Sequence, residues 1–130
     1  MKKILICEDE EDIQLILKTL LAQRNFEVHV ANDGEQAKYK AKRLKPDLIL
    51  LDIRMPKLDG LEVAKDIRKS NSNVKIIFMT AFQSQEIQNE AAKYNITAYL
   101  NKATPNEEII KTIEEALKNS GGQNEANINL

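Results

Sequence analysis

The sequence predicts an α/β fold in which one parallel sheet is covered by helices on both faces. Two observations predict it. Five short apolar runs alternate with five helical stripes along the whole chain, the pattern of consecutive strand–helix units. The third run, Leu48-Ile49-Leu50-Leu51, is apolar at every position, as expected of a strand buried on both sides. A length of 130 residues suits one such domain, and no internal repeat is present.

Lys3-Ile4-Leu5-Ile6-Cys7 reads as the first strand. Ile13, Ile16, Leu17, Leu20 and Leu21 follow at helical spacing, predicting an amphipathic helix of about three turns that buries all five. Leu15 points about 200° from Ile13 and is left off that stripe. Val28 and Val30 mark a second strand, with His29 facing outward between them. Asp33-Gly34 opens a second helix, with Gln36 at the capping-box position and Ala37, Ala41 and Leu44 inside. Pro46 ends it, because the residue before proline is pushed away from helical geometry.

After the third strand, the Asp59-Gly60 turn leads into a helix marked by Leu61, Ala64 and Ile67. Val74, Ile76, Ile77, Phe78 and Met79 carry the fourth strand. Ile87, Ala91 and Tyr94 mark a weak, polar fourth helix, and Ala98-Tyr99-Leu100 a short fifth strand. The last helix has the plainest start: Thr104 as N-cap, Pro105 at the first helical position, Glu107 completing a capping box. Ile109, Ile110, Ile113, Ala116 and Leu117 form its buried stripe, Ser120-Gly121-Gly122 stops it, and residues 123–130 read as a mobile tail.

Composition excludes several classes of function. Hydrophobic residues make up 42% and charged residues 30%, with four Gly and three Pro, so neither a disordered nor a fibrous protein is predicted. The net charge of −1 supplies no general field for nucleic acid or an anionic membrane. Lys38, Lys40, Lys42, Arg43 and Lys45 form a basic cluster without an interleaved aromatic platform, which reads as a solvated helix face. No direct nucleic-acid contact is expected. No apolar run is long enough to span a bilayer, and the acids from Glu8 onward interrupt any secretory signal. A single cysteine, Cys7, favours a reducing compartment, and the expected location is the cytoplasm.

In open sheets of this kind, ligands bind beyond the carboxyl ends of the strands. Glu8 and Asp9 follow strand one, Asp52 follows strand three, Thr80 follows strand four, and Lys102 stands two residues past Leu100. These five are expected to share one crevice. Three convergent carboxylates repel one another and raise each other's pKa values. A divalent cation together with the Lys102 ammonium would make the group neutral. Oxygen-only ligands with room for water suit Mg²⁺, with Mn²⁺ able to substitute. Such a site suits phosphoryl transfer, in which a carboxylate attacks in line while cations and a hydroxyl hold the transferring oxygens.

Glu8-Asp9, the block from Leu48 through Asp52, Pro56 and Asp59 to Gly60, Met79-Thr80-Ala81, and Tyr99-Leu100-Asn101-Lys102 together resemble the receiver domains of two-component response regulators. The resemblance covers about residues 2 to 118. It implies a doubly wound (βα)₅ flavodoxin-like fold with strand order 2-1-3-4-5. It divides the chain into a receiver domain at 1–119 and a flexible tail at 120–130, a stand-alone regulator because no effector domain follows. It makes Asp52 the acceptor of a phosphoryl group from a histidine on a partner kinase or phosphotransferase, with output through a protein target or onward relay. Asp9 and Asp52 would hold Mg²⁺ by side-chain oxygens, Arg54 by its backbone carbonyl, and Glu8 largely through water. Lys102, Thr80 and the Ala81 amide would hold the phosphoryl oxygens. Thr80 and Tyr99 would form a switch pair, the ring turning inward as the hydroxyl moves. Ile13 and Leu15, beside the acids, would dock a helical bundle carrying the donor histidine.

Three positions depart from the family pattern. Ala103 follows the lysine where Pro is usual, often through a cis bond; Asn95 replaces a usual Gly; and Glu8 replaces the commoner Asp. Competing readings fare less well. A haloacid-dehalogenase-type phosphatase needs an acid two residues after its nucleophile, and that place is Arg54. A flavodoxin-like cofactor binder would meet five repelling acids, Glu8 to Asp12, in its phosphate loop. A pseudo-receiver that only binds partners would not need the complete acid, threonine and lysine set. Arg54 and Phe82 would flank the approach to Asp52 and set how fast water reaches it. The chain is therefore expected to be a phosphoacceptor rather than a turnover enzyme.

Overall fold

A computed structural model describes residues 1–54, 59–81 and 85–118. The elements are β1 (Lys3–Cys7), α1 (Glu11–Gln23), β2 (Glu27–Ala31), α2 (Gly34–Leu44), β3 (Leu48–Asp52), α3 (Gly60–Ser70), β4 (Lys75–Thr80), α4 (Gln85–Ala91), β5 (Ala98–Asn101) and α5 (Asn106–Lys118). A 3₁₀ turn, Ala92–Tyr94, extends α4. All strand pairs are parallel and the order is β2-β1-β3-β4-β5, so the chain is doubly wound as expected. The tail at 120–130 and the 119/120 boundary lie outside the described residues, as do Pro56 and Phe82.

Two apolar layers fill the space between sheet and helices. Ile4, Ile6, Leu48, Leu50, Ile77 and Met79 face α1 and α5. Leu5, Cys7, Ile49, Leu51, Ile76 and Phe78 face α2, α3 and α4. Successive strand residues thus feed opposite layers, which is why β3 had to be apolar throughout.

Helix α1 departs from its predicted stripe. Leu17 and Leu21 are buried and Ile13 and Leu20 pack partly against the sheet layer, but Ile16 is 46% exposed. Ile16 lies about 85° from the centre of the other four, on the flank of the wheel, and the single contact face does not reach it. Leu15 is 65% exposed, as its position predicts.

The caps follow local chemistry. Asp33 accepts from the Gln36 amide at 2.9 Å, and Gln36 reaches back to the Asn32 amide at 2.9 Å, one residue earlier than a capping box requires. Lys45 ends α2 in the left-handed region, ahead of Pro46. Asn95 takes φ of 55°, the conformation for which Gly would be usual. At α5 the expected start shifts by one: the helix begins at Asn106, and the Pro105 carbonyl accepts from Glu108 and Ile109. Pro105 is therefore the cap residue, not the first helical one. The basic cluster on α2 is used structurally. Lys40 donates to the Val30 carbonyl at 2.6 Å, while Lys38 and Lys42 stand 3.8 and 4.0 Å from Asp66 on α3.

Candidate functional site

Strand register sets the site. Cys7 pairs with Leu51, so Glu8, the next residue, stands level with Asp52, and Asp52 pairs with Met79. Thr80 pairs with Asn101, which delivers Lys102 from the next strand over. Of the five residues expected at the strand ends, Glu8, Asp9, Asp52 and Lys102 come together, and Thr80 ends the neighbouring strand, its carbonyl accepting from the Lys102 amide at 2.9 Å.

Glu8 and Asp52 are held by the backbone around them. The Glu8 amide donates to Ala31, and a Glu8 carboxylate oxygen accepts from the Glu10 amide at 3.0 Å. Gln14 donates to the Glu8 carbonyl and, at 2.6 Å, to Asn32, tying the start of α1 to the loop after β2. Asp52 accepts from the Arg54 amide on one oxygen and from the Lys102 ammonium on the other, both at 3.0 Å. Behind Asp52, the Gly60 amide donates to Ile53 at 2.6 Å. A Cβ at Gly60 would fall 2.6 Å from the Ile53 Cα and 2.8 Å from the Asp52 carbonyl oxygen. Only glycine lets α3 start this close to the Asp52 backbone.

Lys102 is the centre of charge. Its ammonium lies 2.9 Å from Glu10, 3.0 Å from Asp52 and 3.2 Å from Glu8. The Lys102 loop reaches this position with every peptide bond among the described residues trans. Asn101 closes the loop by accepting from the Ala103 amide at 2.7 Å. Proline at 103 would have no such amide to give, so the departure at Ala103 comes with its own hydrogen bond.

Burial and pairing shift the titrations in opposite senses. Burial pushes the Glu8 and Asp52 carboxyls above the usual range; the Glu10 amide partly offsets this at Glu8, and Lys102 does so at Asp52. Burial alone would lower Lys102, but hydrogen bonds to Glu10 and Asp52 and the nearby carboxylate charges outweigh it and push the ammonium up. Glu8 and Asp52 are 2% and 3% exposed, so their charges meet little bulk water. One oxygen from each of Glu8, Asp9 and Asp52 lies within 4.8 Å of the others, a set that can hold a divalent cation.

Thr80 is buried at the end of β4, and Ala81 follows it, exposed. Phe78 and Thr80 lie on the same side of β4, and Tyr99 pairs with Phe78 across the sheet. The Tyr99 ring meets Phe78 edge-on at 6.1 Å and is half-buried, and burial raises its hydroxyl pKa. Two residues at the site were given no role by the sequence. Glu10 is one of a run of acids for which a place at a helix start is reason enough, and Gln14 is a polar position within that helix.

A family model for the response regulator receiver domain matches residues 4–114. The chain belongs to that family. Receivers are phosphoacceptor signalling modules of two-component systems, which agrees with the acidic pocket. The regulatory protein AtoC of Escherichia coli is 33% identical over 118 residues, covering 91% of this chain and 26% of AtoC. The chain spans between about a quarter and about half the length of the first curated relatives it matches. A CheY-like receiver from Methanospirillum hungatei superposes with TM-score 0.89 at 26% identity, covering 93% of this chain and 97% of that one. The response regulator TrrA of Thermotoga maritima, solved in complex with Mg(2+)-BeF, gives TM-score 0.78 at 34% identity, covering 88% and 98%. No helix among the described residues is long and apolar enough to cross a membrane.

Proposed function

We propose that this receiver accepts a phosphoryl group on Asp52 from a phosphohistidine of a partner kinase or phosphotransferase, in a Mg²⁺-dependent reaction. The observation that carries the reading is the Asp52 carboxylate held 3.0 Å from Lys102 among two further acids. An Asp52 oxygen bonds to phosphorus as the donor's P–N bond breaks, and that electron pair leaves on the imidazole nitrogen. Asp9 and Asp52 would hold the metal by side-chain oxygens, with Glu8 reaching it largely through water and the Arg54 carbonyl completing the set. Bound there, Mg²⁺ (or Mn²⁺) neutralises carboxylate and phosphoryl charge. TrrA, solved with Mg(2+)-BeF, supports this choice of ion.

Lys102, the Thr80 hydroxyl and the Ala81 amide receive the phosphoryl oxygens. Thr80 and Tyr99 carry the change to the face formed by α4, β5 and α5, where a downstream protein or the next relay partner binds. The receiver domain is taken to span residues 1–119. Direct nucleic-acid binding and membrane insertion have no part in this reading, and a cytoplasmic address fits the lone cysteine, Cys7. Ile13 and Leu15 serve the donor's docking, with most of the contact on the exposed Leu15. Leu15→Glu should slow transfer from a cognate kinase and leave uptake from acetyl phosphate unchanged; equal rates from the kinase remove this role.

Incubation with acetyl phosphate, with and without Mg²⁺, followed by intact mass tests the main reading. One phosphoryl group gained only with metal, and absent in Asp52→Ala, is the expected result. Release of inorganic phosphate over many cycles would instead mark a phosphatase.

A further inference from the structure

An ammonium has three N–H donors, and all three of Lys102's have a carboxylate within reach: Glu8, Glu10 and Asp52. A phosphoryl oxygen can therefore be received only if one of these partners lets go. The three are unequal. Glu8 and Asp52 have side chains 3% exposed, and each also accepts from a backbone amide. The Glu10 side chain is 60% exposed, and Lys102 is its only side-chain hydrogen-bond partner among the described residues. It stands at the N-cap of α1 but makes no cap bond, so its carboxylate reaches outward to the lysine instead. Losing Lys102 costs Glu10 least, because water replaces the ammonium at once.

We infer that Glu10 is a placeholder: a positioning residue that holds the third Lys102 donor in the resting state and yields it to the incoming phosphoryl oxygen. This deepens the reading of Asp52 as acceptor and rests on it. Glu10 then acts as a brake, because phosphoryl capture must displace a negatively charged competitor. An exposed pair of this kind is weak, so the brake is modest, about 3-fold in the rate of uptake.

Two variants separate contact from charge. Glu10→Ala removes both, whereas Glu10→Asp keeps the charge on a side chain one methylene shorter. The readouts are the rate of phosphoryl gain from acetyl phosphate with Mg²⁺, by intact mass, and Mg²⁺ affinity by calorimetry. If Glu10 is a placeholder, both variants take up phosphate about 3-fold faster than the unaltered chain, with Mg²⁺ affinity unchanged. An unaltered rate in Glu10→Ala overturns the inference. So does a fast Glu10→Asp-independent response, in which Ala accelerates uptake but Asp matches the parent, since the local field and not the contact would then set the rate. If the parent itself gains no phosphoryl group, Asp52 is not the acceptor and both readings fall together.

Discussion

The two ends of the sheet use charge in opposite ways. At the amino end, charged and polar side chains bond mainly to backbone, although Lys3 also stands 3.9 Å from the Glu27 carboxylate. Asp47 accepts from the Lys3 amide at 2.7 Å, and Lys3 donates its ammonium to the Leu44 carbonyl at 2.9 Å. Arg68 reaches the carbonyls of Tyr94, Asn95 and Asn71 at 2.7, 2.9 and 3.2 Å, joining the end of α3 to the turn before β5. At the carboxyl end, the Lys102 ammonium meets, among the described residues, side-chain carboxylates only. A cation tied to carbonyls closes turns, and nothing about it needs to change. A cation among excess carboxylates leaves net negative charge that only a further cation can balance. The first arrangement is architecture; the second is a site waiting for ligands.

Exchanging each cation for a neutral side chain of similar length gives the sharpest test of this contrast. Lys102→Met should lower the rate of phosphoryl uptake by about 100-fold or more, the usual cost of removing one preorganised charge from a transition state. Arg68→Met should leave uptake within about 2-fold of the parent while removing the donor from three carbonyls, two of them part-buried. Its cost should appear in the denaturant midpoint, as about 3 kcal/mol of lost stability. The contrast collapses if Arg68→Met abolishes uptake, or if Lys102→Met only weakens the fold.

Gly60 sits where the two uses of charge meet, since α3 begins against the Asp52 backbone. Gly60→Ala should cost about 2 kcal/mol, because the new Cβ meets backbone that cannot swing away. It should also slow phosphoryl uptake, as the Asp52 end of β3 shifts. Urea unfolding and the acetyl phosphate time course together check both effects. Loss of stability with uptake intact would show that β3 and α3 separate without moving the acceptor.

The carboxyl end was the more legible of the two in sequence. Acids, a hydroxyl and a lysine directly after apolar runs are read from strand position alone, so Glu8, Asp9, Asp52, Thr80 and Lys102 were found together. The amino end is built by long side chains whose reach no spacing encodes. Arg68 had no motif to announce it, although its bonds span 26 and 27 positions. The same blindness hid Glu10, 92 positions from Lys102, because an acid at a helix start already has a sufficient local reason. Ile16 failed for a different cause. A periodic stripe shows which residues share a side of the helix, not how wide the contact with the sheet will be.

The smallest expected effect concerns pH. Burial raises the folded-state pKa of Asp52, so in the metal-free protein the folded state takes up a proton at higher pH than the unfolded chain does. Between that raised value and the ordinary carboxylate value near 4, the folded state binds more protons, and stability therefore rises as pH falls. Glu8 is shifted in the same direction and contributes with the same sign. Asp52→Asn removes one share of this penalty while Lys102 keeps Glu8 and Glu10 as partners. In chelator at neutral pH the variant should be more stable than the parent by about 1 kcal/mol. The gap should close as pH is lowered toward 4, where the parent's own carboxyl becomes neutral. Added Mg²⁺ should close it from the other side, since binding to the folded parent stabilises it by mass action. Thermal unfolding of both proteins across that pH range decides the matter. A parent more stable than Asp52→Asn at neutral pH without metal would mean that Lys102 already over-compensates its carboxylates, and the two ends of the sheet would no longer differ in kind.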